Sequence, residues 1–191
     1  MGRNLVVCLD GTANEPETGS TNVARIYDLC VKDDEQLVYY DPGVGTMGAR
    51  SATTRAGHAA TRAAGLVVGY GIRENIAEAY TWLMNHYRTG DNVMVFGFSR
   101  GAYTARLLAA VLHSLGLLPR GNQNLIPYVL RLFGGMPRGT SGPAVDAYFT
   151  LCDEFRRTFA RVVPEQPDDR RFVVHFLGLW DTVSSVGWLW D

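Results

Sequence analysis

Ser99 stands in Gly97-Phe98-Ser99-Arg100-Gly101, a G-x-S-x-G spacing with an apolar run before it and an Ala- and Leu-rich segment after it. A serine hydroxyl becomes a useful nucleophile when a base takes its proton and a sharp turn holds it clear of the chain. Side chains two positions before and two after such a turn would collide with the neighbouring strand and helix, and Gly97 and Gly101 remove them. The Arg100 N–H, in the first turn of the following helix, then meets an oxyanion together with the positive end of the helix dipole. The chemistry this spacing predicts is acyl transfer to Ser99.

A nucleophile of this kind needs a histidine, and the histidine needs an acid to orient it. Where a strand, elbow and helix carry the serine, the acid and then the histidine follow it along the chain. Asp181 ends the apolar run FVVHFLGLW and is the predicted acid, although Asp181-Thr182 also fits a helix N-cap. The four histidines, His58, His86, His113 and His175, all precede Asp181. His86 and His113 fall on helical patterns and His175 inside a strand pattern, which leaves His58 as the one candidate in a loop. The expectation is that the chain is C-terminally truncated at Asp191 and that the catalytic histidine lies beyond it. Near the start, LVVCLDGTAN places Asp10-Gly11-Thr12 at another strand end, where Gly11 and Thr12 are candidates for the second oxyanion N–H. A competing reading makes Asp10 a metal ligand with Asp181 or Asp41.

The elements that must position these groups follow from the apolar pattern. LVVCL at 5–9, LVYY at 37–40, VMVFGF at 93–98 and FVVHFLGLW at 172–180 are nearly continuous apolar runs, as parallel strands covered on both faces require. Ile72, Ile76, Tyr80, Leu83 and Tyr87 mark one face of a helix ending near Arg88, and residues 100–113 form a second helix. Residues 41–71, with seven glycines, read as a loop. Residues 119–170 are too long for a simple crossover and read as a helical insertion that caps the site, with a helix over about 144–161. The predicted class is α/β: a mainly parallel sheet with helices on both faces, α/β-hydrolase-like. Residues 1–191 form one partial catalytic domain.

Composition narrows the function classes. The chain has 191 residues, 47% of them apolar, and 18 basic against 19 acidic side chains give a net charge of -1. Such a chain is neither disordered nor an electrostatic nucleic-acid binder. Cys8, Cys30 and Cys152 have no C-x-x-C spacing, which excludes a disulfide scaffold or a zinc ribbon. No signal peptide and no transmembrane run is visible, so the expected location is cytoplasmic as synthesised, with export by a route that needs no signal peptide left open.

LVVCLDGTANEP, TNVARIYDL, LVYYDPGVGT, GYGIRENIAEAYTWL, VMVFGFSRGAYTARLLAAVLHSLGLLP and FLGLWDTVSSVG together resemble a bacterial and fungal family first catalogued as an uncharacterised α/β-hydrolase domain. That family includes the type VI secretion phospholipase effectors whose nucleophile motif is GFSRG. The resemblance spans nearly the whole chain in the family's order. It implies that Ser99 is the nucleophile, that Asp181 in WDTV is the triad acid, that DGT belongs to the oxyanion region, and that the family's histidine lies further on. Family members often carry Trp where this chain has Ala13. The implied partners are an ester or phospholipid substrate and a secretion-apparatus or immunity protein, with no cofactor and no metal. Three functions stay open on the sequence: a serine hydrolase of carboxylic esters such as phospholipid acyl esters, a non-enzymatic binding protein on a truncated hydrolase fold, and a metal-dependent phosphoester hydrolase.

Overall fold

Three of the four apolar runs form strands within a residue of their expected limits, giving β1 (Asn4–Leu9), β2 (Gln36–Asp41) and β3 (Asn92–Phe98). The fourth contributes only its last part, β4 (Phe176–Trp180). In this computed structural model, residues 2–11, 20–43, 59–137, 139, 141–163 and 167–183 are described, with the side chains of all but 59–70. The four strands pair in parallel in the order β2-β1-β3-β4, so all four carboxyl ends lie on one edge.

Helices cover both faces, and alternation along β1 shows how. Leu5, Val7 and Leu9 join the larger core beneath α2 (Ala59–His86) and α3 (Arg100–Leu115), while Val6 and Cys8 pack on the other face against Val23 of α1 (Asn22–Leu29). Burial pushes the Cys8 thiol up to about 12, which makes it an inert core residue. In the larger core Ile72, Ile76, Tyr80 and Leu83 of α2 meet Leu108, Val111 and Leu112 of α3. The buried Tyr80 hydroxyl donates to Gly116 O at 2.9 Å and accepts from Leu118 N–H at 2.9 Å, tying α2 to the end of α3. The chain is an α/β protein with a parallel sheet of the α/β-hydrolase kind.

Two expectations need correction. Helix α2 begins at Ala59, so the segment read as a loop over 41–71 is helical in its last part. The Ala-rich stretch at 59–64 adds favourable residues to a helix already nucleated by the amphipathic run 72–86, and this outweighs its scattered glycines. Residues 172–175 are not strand. Phe172 turns into the core instead, edge-on to Tyr87 with ring centroids 4.8 Å apart, and its N–H donates to Leu112 O at 3.3 Å.

The insertion does hold helices, α4 (Ile126–Gly134) and α5 (Pro143–Phe159), joined where Tyr148 OH donates to Phe133 O at 3.2 Å. They pack onto α2 and α3 through Ile126, Val129, Tyr148 and Cys152, so the described residues of the insertion thicken the core. Buried Arg156 locks α5 in place by bonding to Asp153, Asp169 and the carbonyl of Ser114 at the end of α3.

Candidate active site

At the carboxyl edge β3 turns directly into α3, and the turn residue is Ser99, with φ 54 and ψ -117. A positive φ at a residue with a side chain costs on the order of 1–3 kcal/mol and persists only where the surroundings enforce it. The surroundings here are backbone. A Cβ on Gly97 would lie 2.6 Å from Ala102 Cα and Gly101 O, and a Cβ on Gly101 would lie 2.1 Å from Leu9 O of β1. The strand, the helix and the neighbouring strand therefore approach as closely as the G-x-S-x-G spacing requires. Arg100 opens α3, and the first N–H groups of a helix have no partner within it. Its guanidinium is half-buried with no ion pair among the described residues, and burial pulls its pKa down.

Asp181 lies beside the serine. Phe98 of β3 and Trp180 of β4 are register partners, so Ser99 and Asp181 are the next residues on two adjacent strands, about 5 Å apart in the sheet. The backbone holds them there: Ser99 N–H donates to Trp180 O at 2.9 Å, and Val183 N–H donates to Ser99 O at 3.3 Å. Asp181 is exposed and also has a positive φ of 45.

The loop after β1 reaches the same place. A Cβ on Gly11 would lie 3.2 Å from Ser99 Cβ, so this glycine sits against Ser99. Its N–H, however, donates to Asp10 Oδ1 at 2.7 Å, so in this arrangement the Gly11 amide is directed at a carboxylate and departs from its expected part in the oxyanion hole. A short carboxylate bond of this kind is stronger than a neutral one and holds the peptide in that orientation. Thr12 and His58 lie outside the described residues.

Asp10 itself is a hub that sequence reasoning missed. It is 1% exposed, and its Oδ2 accepts from Thr21 Oγ1 at 2.6 Å and from Tyr40 OH at 2.7 Å. Thr21 also caps α1, its Oγ1 accepting from Ala24 N–H at 3.0 Å, so one carboxylate joins β1, β2 and α1. Burial and the bond to Asp10 both push the Tyr40 phenol upward. With both oxygens occupied by hydrogen-bond donors, Asp10 is not available in the way a metal ligand would be. Among the described residues no group of three His, Cys, Asp or Glu is arranged to hold a metal ion. The only sequence signal for the hub is a polar residue closing an apolar strand beside the LVYYD strand.

The described histidines are all remote from Ser99. His175 has its Nδ1 on Val93 N–H at 3.1 Å, six residues up the strand and about 20 Å away. His113 lies fourteen residues into and past the helix start, again about 20 Å away. His86 stacks on Trp82 and bonds Trp82 O at 2.8 Å at the far end of α2.

Comparison with known proteins supplies the family. The T6SS phospholipase effector Tle1-like catalytic domain matches residues 3–191. The chain belongs to this family. A relative in Saccharomyces cerevisiae, the uncharacterized protein YEL023C, is 32% identical over 197 residues, covering 100% of this chain. The chain spans 28% of that protein's length. No solved structure matches it. Among the described residues of this Tle1-like domain, no helix is long and apolar enough to cross a membrane.

Proposed function

We propose that this Tle1-like domain is a serine hydrolase of carboxylic esters and that its substrates are the acyl esters of phospholipids. The observation that carries the reading is Ser99, held at a strained φ on the carboxyl edge with Asp181 next to it in register. Ser99 Oγ attacks the ester carbonyl carbon while a histidine from outside the described residues takes its proton. Asp181 holds the imidazole in the tautomer that accepts that proton and stabilises the imidazolium that results. The oxygen that becomes negative is assigned to the Arg100 N–H and, by the family resemblance, to Thr12, and Asp10 anchors the described end of β1 and Gly11 beside Ser99. The tetrahedral adduct collapses, the alcohol leaves with the proton from the imidazolium, and water then releases the acyl group by the same steps in reverse roles.

Two observations support phospholipid over a neutral ester. The family is one of phospholipase effectors. Arg100, the residue after Ser99, is half-buried without an ion pair among the described residues, which suits an anionic phosphate near the scissile ester.

The test is acyl-ester hydrolysis by the complete natural gene product on mixed micelles containing phosphatidylglycerol. The expected result is release of fatty acid that Ser99→Ala lowers by about 10⁴-fold or more and that EDTA does not change. Loss of activity with chelator and retention in Ser99→Ala would overturn the reading in favour of a metal-dependent enzyme. His58→Ala then sorts the base: full activity in that variant places the histidine elsewhere in the polypeptide.

A further inference from the structure

At the opposite edge of the sheet, where the strands begin, a cleft of about 970 Å³ is lined by Arg3, Arg88, Arg120 and Arg161. Asp34 is the one carboxylate among the described residues that line it. In a chain of net charge -1 this concentration is not a consequence of composition. The four arginines differ in how far their charge is met. Arg3 is neutralised by Asp91, its Nη2 lying 2.6 Å from Asp91 Oδ2. The other three have no ion pair among the described residues.

Arg161 is the fixed member. Its Nε donates to Leu118 O at 3.2 Å, Nη1 to Tyr87 O at 2.9 Å, and Nη2 to Met84 O at 2.8 Å and Leu118 O at 2.9 Å, while the guanidinium lies 5.4 Å from the centroid of the Tyr87 ring. Those carbonyls belong to the end of α2 and the segment after α3, so Arg161 also caps α2. Carbonyl dipoles hold the group in place without cancelling a full charge, and burial works against that charge. A guanidinium has five N–H donors, and these four bonds leave one on Nη1 unused. Arg88 and Arg120 are exposed on either side, and neither side chain makes a hydrogen bond or an ion pair among the described residues.

We propose that this cleft is a binding site for a phosphate group, with Arg161 as its rigid floor and Arg88 and Arg120 as its walls. Guanidinium geometry matches phosphate oxygens in paired hydrogen bonds, and a cleft of this size accepts a phosphate with a substituent attached. The site lies a full strand, about 20 Å, from Ser99 and is independent of the ester chemistry there. The phosphate is either free in solution or carried on a lipid headgroup.

The test titrates this chain at low salt with inorganic phosphate, read by calorimetry and by amide chemical-shift changes. It also measures binding to phosphatidylcholine vesicles with and without phosphatidylglycerol. The expected result is saturable phosphate binding with the largest shifts at Arg88, Thr89 and Arg120. The exposed-site double variant Arg88→Glu/Arg120→Glu should weaken binding by at least about tenfold, with an unchanged melting curve. Anionic-vesicle binding that phosphate competes away assigns the headgroup as the source, and phosphate binding without vesicle binding assigns a free phosphate. Absence of saturable phosphate binding, shifts located elsewhere, or vesicle binding that phosphate leaves untouched would overturn the proposal.

Discussion

The two edges of one parallel sheet hold buried carboxylates in opposite conditions. At the edge where strands begin, Asp91 is 3% exposed and fully engaged: it accepts from the Arg3 N–H, from Arg3 Nε and Nη2, and from the Arg88 N–H. Burial alone would raise its pKa, but the bonds from Arg3 and Arg88 prevail and hold it below the ordinary carboxylate range. At the edge where strands end, Asp41 is 6% exposed and, among the described residues, accepts one side-chain bond, from Gly43 N–H at 2.7 Å, with no partner for Oδ2. Burial raises its pKa, the Gly43 bond opposes this weakly, and Glu78 and Asp10 add to it. Of the three non-glycine residues with positive φ among the described residues, Ser99 and Asp181 lie next to each other at the carboxyl edge, and Arg170 lies by Gly116 at the end of α3. The amino edge is arranged for stability. The carboxyl edge tolerates strain and an unmet charge, as sites of chemistry do.

The comparison can be sharpened by substitution. The largest effect away from Ser99 is expected at Asp10, which belongs to the carboxyl edge yet has both oxygens bonded. Asp10→Ala should lower kcat of the natural gene product by about 100-fold with little change in KM, because the loop proposed to serve the oxyanion loses its anchor. Tyr40→Phe, which removes one of its three bonds among the described residues, should cost less. Equal losses in kcat and in melting temperature across a panel of core variants would reduce Asp10 to a merely structural role.

Asp91→Ala comes next and should destabilise the fold by about 3 kcal/mol, since it leaves Arg3 unpaired. The sign of its pH dependence follows from the lowered pKa. The stability Asp91 provides is present above its ordinary value near 3.8 and is lost as pH falls through the lower folded value. Wild type and variant should therefore converge in urea denaturation as the pH is lowered. Asp41 should behave in the opposite sense. Its raised pKa gives a contribution that is present below 3.8 and lost as pH rises through the folded value. Asp41→Asn should raise stability at neutral pH by on the order of 1 kcal/mol, the smallest of these effects. A destabilised Asp41→Asn would show that the two edges do not differ in the way described.

What the sequence displayed, and what it hid, divides along the same physical line. Runs buried on both faces, and the two glycines beside Ser99, express short-range and steric demands that residue types state directly, so β1, β2, β3 and the elbow were legible. Residues 172–175 have the same apolar character as a strand, and only the cavity against Tyr87 and Leu112 draws Phe172 inward instead. The glycines of 65–71 argue locally against a helix that propagation from 72–86 extends through them. The Asp10 hub could not be read because Thr21 and Tyr40 are 11 and 30 residues away and meet it only through the strand order. Helix propensities likewise said nothing of which helices α4 and α5 pack against.

The most direct measurement is covalent labelling by a fluorophosphonate followed by peptide mapping. In the complete natural gene product a single adduct on Ser99 Oγ is expected, forming rapidly at neutral pH, insensitive to EDTA, and slowed by orders of magnitude in Asp181→Asn with the fold intact. An unlabelled Ser99 in an enzyme that hydrolyses phospholipid, or an adduct on another residue, would contradict the assignment of the strained serine at the carboxyl edge as the nucleophile.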